Sequence, residues 1–449
     1  MATITFFQFS YQSYSIGFAD WISLLTLSLA PLIAHIIAGC PPTSLISSNG
    51  NPRWHQTICH YNPTSILWRY GLIVDRRIRA KSWNPLEMAA ANALFWTSHG
   101  WDGSEDIVLS STKHCGRLPR SAIVNPVSGT MFKTVVTTLQ GTQALVVISG
   151  ALTGQVFGST FNPTLGVDLV FWPLSIIGLL RLCSALWLTD EYYFCSEKQI
   201  DRPVNRCKVP YASSNDLMRK ASFDGLLDLS TNQSADMREQ RFYPPSYWPS
   251  RVFRALFLSS ILGIWVLSIL WVIPLASSDF MIYFSITSFV VVLFYIFFTA
   301  MTAVIIPFYL VRGNRSTIIP CIDTLWYKIY SIALMAFAVT IFAIASLETR
   351  KGPCGSYTSA PGRGDLYGVC GNILDPNLRA VEMNPQGDQS SVGFGLAFHR
   401  EASLKRNITV PDPRDFWVAN FSGFCLGYYT NPVLIQLSMF LDTVAEVKG

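Results

Sequence analysis

Asp102, Glu105 and Asp106 form the densest cluster of chemistry-bearing side chains in this sequence. Carboxylates three apart can reach one Mg²⁺, and a Mg²⁺ held there could carry the diphosphate head of a lipidic substrate. The competing reading is a solvated turn whose acids cap a helix beginning near Ile107. No second acidic motif completes a metal site, so the turn is favoured. The three residues stand as the catalytic candidates, with Mg²⁺ the only cofactor they suggest.

A second set is Trp54-His55-Gln56-Thr57-Ile58-Cys59-His60, with Cys40 upstream and His114-Cys115 downstream. Zinc takes four N/S ligands, usually in tight pairs. Cys-x₂-Cys pairs are absent, so no metal site is assigned. There is also no nucleotide-binding glycine loop or Walker pattern.

These groups must be positioned by a chain built for a bilayer. Half of its 449 residues are apolar and 14% are charged, against about a quarter charged in soluble domains. Mean hydropathy is +0.32. Such a composition excludes a disordered chain and a small disulfide-stapled module, and argues against a wholly soluble enzyme. A net charge of +5 is too small to point to nucleic acid.

About 20 apolar residues span a bilayer. Six runs qualify: 17–39, 131–152, 163–188, 252–277, 280–311 and 325–347. The second is the least apolar, because it holds Lys133, Gln140 and Gln143. Asn162 and Pro163 should cap and start the third. The fifth is too long for one upright helix, which predicts tilt or a bend near Pro307. A seventh uncharged stretch, 421–441, is broken by Thr430-Asn431-Pro432. It is read as part of a folded tail, with a seventh span as the alternative. The fold class is therefore mainly α, a polytopic helical membrane protein.

Charge placement orients the spans. Basic residues gather between spans one and two and between three and four, while the turns after spans two and four carry none. The positive-inside rule then makes both termini non-cytosolic. The expected organisation is an outer N-terminus and first span (1–39), a cytosolic helical segment (40–130) and a transmembrane hairpin (131–188). A partly ordered cytosolic loop (189–251), three transmembrane helices (252–347) and a lumenal or extracellular tail (348–449) follow. The membrane is the plasma membrane or an endomembrane. In the tail, Asn407 and Asn420 open glycosylation sequons. Cys354 and Cys370 flank a Gly-rich loop that a disulfide would close. The sequons at Asn232 and Asn314 fall on the cytosolic side. Residues 1–16 hold none of the basic residues a secretory signal needs, so the first span is read as uncleaved.

Within the cytosolic segment, Asn62-Pro63 opens a helix through about Lys81. Ile66, Leu67, Tyr70, Val74 and Ile78 share a face, and Arg69, Asp75, Arg76, Arg77 and Arg79 lie mostly elsewhere. This reads as a basic amphipathic helix lying on the cytosolic leaflet, with residues 62–81 on anionic lipid. Packing against other cytosolic helices is the alternative. A second helix is expected over 85–98, capped by Asn84, started by Pro85, boxed by Glu87 and ended by Gly100.

Polar groups inside spans are functional suspects by default. Asp20 and Asp168 lie near the outer ends of their spans, His35 and Arg181 toward the inner side. Arg181 is expected to snorkel inward. Asp168 could line a cavity with Gln140 and Gln143, against a reading of helix-to-helix hydrogen bonds.

The stretches GFADWISLLTLSLAPLIAHIIAG, CHYNPTSILWRY and AAANALFWTSHGWDGSED resemble a group of uncharacterised polytopic membrane proteins of filamentous fungi, over about residues 17–190. The resemblance implies a fungal source and no activity, cofactor or catalytic residue. A non-catalytic membrane protein with a cytosolic interaction platform is the favoured function, because no catalytic constellation is specific. One alternative is a membrane-embedded enzyme on a lipid or isoprenoid-like substrate, at home in fungal secondary metabolism. The other is a small-molecule transporter or channel using Asp168, which the lack of an internal repeat weakens. No sequence feature names a protein partner.

Overall fold

Asparagine caps start two helices that lie outside the apolar runs. Asn62 Oδ1 accepts from the Thr64 N–H at 2.9 Å, and Asn84 Oδ1 from the Glu87 N–H at 2.9 Å. Proline follows each cap, where its missing N–H costs nothing. The structure is a computed structural model. It describes residues 3–6, 9, 11, 13, 16–46, 50–153, 165–195, 241–270, 281–351, 357–359, 379–383, 393–398, 415–419, 425–430 and 433–434.

In chain order, β1 (Thr3–Phe6) precedes α1 (Phe18–Leu32), which holds Pro31 and runs into a π-helical turn at Ile33–Ile37. After β2 (Thr43–Leu45) come α2 (Trp54–Thr57), α3 (Pro63–Arg79) and α4 (Pro85–Asn92). The expected helix over 85–98 is shorter than its pattern suggested. It stops at Asn92, and Leu94–Thr97 forms β3 between parallel β2 and antiparallel β4 (Gly100–Asp102). Phe95, Trp96 and Thr97 suit extended backbone, and two neighbouring strands satisfy it. Gly100, at φ 102°, turns this hairpin instead of closing a helix.

Further along are α5 (Ile107–Ser111), β5 (Cys115–Arg117), α6 (Gly129–Thr153), α7 (Ser175–Ser184) and β6 (Tyr193–Phe194), which pairs with β5. Then come α8 (Trp248–Leu270), β7 (Met281–Phe284), α9 (Ile286–Val311) and α10 (Leu325–Glu348). β7 lies parallel to β1. A small hairpin, β8 (Arg350–Lys351) and β9 (Tyr357–Thr358), follows α10. The tail contributes β10 (Arg379–Met383), β11 (Gly393–Phe398), β12 (Asp415–Ala419), β13 (Cys425–Thr430) and β14 (Val433–Leu434). They form an antiparallel sheet of order β13-β12-β11-β10-β14. The described part of 421–441 is therefore strand, not a seventh helix.

Five helical segments among the described residues are long and apolar enough to cross a membrane: Phe18–Ile37, Val167–Ser184, α8, α9 and α10. The expected second span does form a helix, α6, of 25 residues, but it is not among these five. Lys133, Gln140, Gln143 and a run of threonines dilute it. The third is not one continuous helix. Two 3₁₀ turns, Val167–Leu169 and Trp172–Leu174, precede α7, and Pro173 withholds an N–H that an α-helix would use. The length puzzle of the fifth run is resolved by β7. Ser285 caps α9 after that strand, and the helix then continues through Pro307. The Asn162-Pro163 cap, Cys354, Cys370, Asn232, Asn407 and Asn420 lie outside the described residues.

The expectation that α3 lies on a lipid surface is corrected. Every residue from Pro63 through Arg76 is buried, as is Arg79. The long apolar helices cover one side. Thr64 Oγ1 meets Thr302 Oγ1 of α9 at 2.8 Å, Ser65 Oγ meets the Tyr327 hydroxyl of α10 at 2.6 Å, and Asn62 Nδ2 donates to Ser331 Oγ at 2.9 Å. A Cβ at Gly71 would stand 2.6 Å from Phe257 of α8, so the glycine lets the two helices touch. The Trp68 indole donates to the Ser316 carbonyl beyond α9, at 3.1 Å. An amphipathic pattern marks one apolar face, but the polar face here is covered too, because its charges find protein partners.

Candidate functional site

The polar face of α3 carries the most concentrated chemistry in the described residues. Asp75 and Arg79 are one turn apart and pair at 2.9 Å. Arg254 of α8 closes a two-pronged bond on the same carboxylate, its Nε at 2.8 Å and Nη2 at 2.7 Å, and Ser250 Oγ donates at 2.5 Å. Arg79 also pairs with Glu105 and donates to the Tyr243 carbonyl at 3.3 Å. Arg315 approaches the other oxygen of Glu105 at 3.9 Å. Arg76 lies 3.7 Å from Glu87, which Arg241 also pairs with, and donates to the Ser104 carbonyl at 3.2 Å.

Five arginines thus surround three carboxylates. The excess positive charge is met by backbone oxygens, among them Leu310 O, to which Arg254 donates at 3.3 Å. Burial alone would push the Asp75 carboxyl up; Arg254 and Arg79 outweigh it and hold it below the usual carboxylate range. Burial draws the Arg76 guanidinium down to about 10, still charged at neutral pH.

A second knot sits about two turns earlier on α3. Arg69 donates to the Gly39 and Asn92 carbonyls, both at 2.8 Å. Asn92 Nδ2 donates in turn to Met88 O at 2.9 Å and Trp187 O at 2.7 Å. One buried guanidinium and one amide therefore tie the end of α1, α3, α4 and the turn after α7 together.

This geometry corrects the reading of Asp102, Glu105 and Asp106 as a Mg²⁺ cradle. Asp102 Oδ1 accepts from the Ser104 N–H at 2.8 Å in a local turn. Glu105 turns inward to Arg79, and Asp106 occupies the cap position of α5 without a side-chain cap bond. Among the described residues no three His, Cys, Asp or Glu side chains are placed to hold a metal. His60 and Cys59 are buried, with His60 edge-on to Trp101 at 4.2 Å between ring centres. Burial, then Arg69, pulls His60 down to about 3, and burial pushes the Cys40 thiol up to about 12. At neutral pH neither is a thiolate or an imidazolium.

The intramembrane candidates separate into two groups. His35, in the π turn of α1, lies beside Gln140 of α6 and Arg181 of α7. Gly178 makes room for it, since a Cβ there would stand 2.9 Å from His35 Nδ1. Arg181 does not snorkel; it is buried, bonded to Thr134 Oγ1 at 3.1 Å and the Ala38 carbonyl at 3.3 Å. The Tyr70 hydroxyl of α3 also lies 3.5 Å from its Nη1. Asp168 stands instead near Tyr357, and Gln143 is exposed, so the suggested Asp168–Gln140–Gln143 cavity does not form. At that same end Asp20 pairs with Lys351 at 2.9 Å. Glu348 Oε2 accepts from the Thr287 N–H at 2.8 Å and its hydroxyl at 2.7 Å, capping α9.

Sequence reasoning missed Asp75, Glu87, Arg254 and Glu348 as site residues. Asp75 did carry a signal, as the one acid in a basic helix, four residues before Arg79. Arg254 carried none, because it lies 179 residues from its partner.

Chemically, this is a weld. Each carboxylate of the lattice faces guanidinium groups. The fold and this site define a mainly helical membrane protein with a charge-locked layer at one end of its bundle. No family model, curated protein or solved structure matches the chain.

Proposed function

We propose that this chain is a non-catalytic multi-pass membrane protein whose α3 layer forms a rigid cytosolic interaction platform, with both termini on the other side of the membrane. One observation carries the reading: the three carboxylates of the layer are all paired with arginines, which suits a fixed scaffold. Exposed Trp54 and His99 lie outside this lattice and offer contact points for a partner.

Photocrosslinkers placed at Trp54 and His99 of the full chain in its native membrane should give discrete protein adducts. Purified protein incubated with pooled cellular lipids should show no turnover by mass spectrometry. Turnover abolished by Asp102→Asn or Glu105→Gln would replace the platform with an enzyme on a lipid or isoprenoid-like substrate.

The orientation has its own test. Glycans should appear on Asn407 and Asn420 and not on Asn232 or Asn314, read by gel mobility after removing each sequon. A glycan on Asn232 would reverse the topology.

A further inference from the structure

We infer that the groove between the start of α8 and the end of α9 is a docking site for the head group of an anionic phospholipid. The groove has a volume of about 390 Å³ and is lined by Ser246, Arg251, Arg254, Leu258, Leu310 and Val311 among others. That volume lies in the range of roughly 300–1,000 Å³ typical of small-ligand sites.

Its two arginines differ. Arg254 is buried and spends its charge on Asp75. Arg251, one turn earlier, is exposed, and its side chain has no bonding partner among the described residues. Among the described residues no acid lines the groove. Asp75, behind Arg254, is already shared with Arg79. The groove is therefore positive and complementary to a phosphate. Arg312, between Val311 and Gly313 of the lining in sequence, is a second exposed cation, stacked over Phe308 at 3.9 Å.

Position selects lipid as the occupant. Both walls are helices long and apolar enough to cross a membrane, and the groove lies where α8 begins and α9 ends. Trp248 is 71% exposed and Val311 81% exposed, as expected of side chains at and just inside a lipid interface. A phosphate on Arg251 with the Ser246 hydroxyl beside it would leave an acyl chain to run along Leu258 and Val311. A free anion would gain nothing from that apolar wall.

The test uses the full chain in phosphatidylcholine nanodiscs doped with phosphatidylserine, with retained lipid read by native mass spectrometry. Phosphatidylserine should be retained over phosphatidylcholine. Arg251→Gln should lower its retention about five-fold, the scale of one basic group at an anionic surface. Lys133→Gln, an equal charge change on another helix, should leave it unaltered. Arg251 is exposed and unpartnered among the described residues, so folding is not at stake. Equal retention by wild type and Arg251→Gln overturns the site. An equal drop in Lys133→Gln reduces it to the general field of the protein, which also overturns it. Displacement of the lipid by millimolar inorganic phosphate alone would make it an anion site and not a lipid site.

Discussion

Asp75 with Arg254 and Asp190 with Lys133 are ion pairs of nearly equal length, 2.7 and 2.8 Å, in opposite surroundings. The first pair is 1% and 10% exposed at its side chains, the second 43% and 47%. At the exposed pair water and salt take over whenever the partner leaves, so the pair is worth little. In the α3 layer the side chains are buried, and losing one partner strands the other in the interior. Length and charge type do not measure an ion pair's importance; the availability of a substitute does. The same rule explains why α3 can bury arginines. Carbonyls of Ser104, Tyr243 and Leu310 meet the donors that the carboxylates leave over.

The largest expected effect is at Asp75. Asp75→Ala should cost about 3–5 kcal/mol, because Arg79 and Arg254 both lose their shared carboxylate. Heat unfolding of the detergent-solubilised chain, followed by tryptophan fluorescence, checks this. An unchanged midpoint would mean that water enters the layer, and the comparison would fail.

Acid sharpens the same point. The folded Asp75 carboxyl titrates below the ordinary value, which is about 3.9 in an unfolded chain. Its contribution is therefore complete above about pH 4 and is lost as pH falls through the folded value. The stability gap between wild type and Asp75→Asn should be constant near neutrality and should narrow in acid. A gap that widens as pH falls would contradict the sign.

Asp102 comes next. Its carboxylate holds a local turn, so Asp102→Ala should cost about 1 kcal/mol while Asp102→Asn, which keeps the acceptor, stays close to wild type. Denaturation midpoints of the two variants decide between a turn and a buried ion site. The smallest effect belongs to the exposed pair. Lys133→Ala should cost less than about 1 kcal/mol, and molar salt should erase the difference. A loss comparable to that of Asp75→Ala would break the comparison from the other side.

Local signals were legible where the cause was local. The apolar runs at 17–39, 252–277 and 325–347 each overlap a long helix, and Asn62 and Asn84 cap as their positions promised. The site was legible only in pieces. His35, Gln140 and Arg181 were each suspected, but their meeting depends on how α1, α6 and α7 cross. Glu105 was suspected for the wrong partner, a cation from solution in place of Arg79.

What the sequence determined by itself is what a few neighbouring residues can settle. Apolar length marks helices for a membrane, asparagine and proline start α3 and α4, and Thr430-Asn431-Pro432 argued for a folded tail. Only the tertiary structure decided whether α3 faced lipid or protein, and whether Leu94–Thr97 continued a helix or became a strand. Both outcomes depend on partners distant in sequence. Arg254 is 179 residues from Asp75, and β2 pairs with β3 across about 50 residues. A hydrophobic pattern records which face avoids water. It does not record whether the polar face will meet water or find its charges matched inside the protein, since matched charges and backbone carbonyls can replace water at short range.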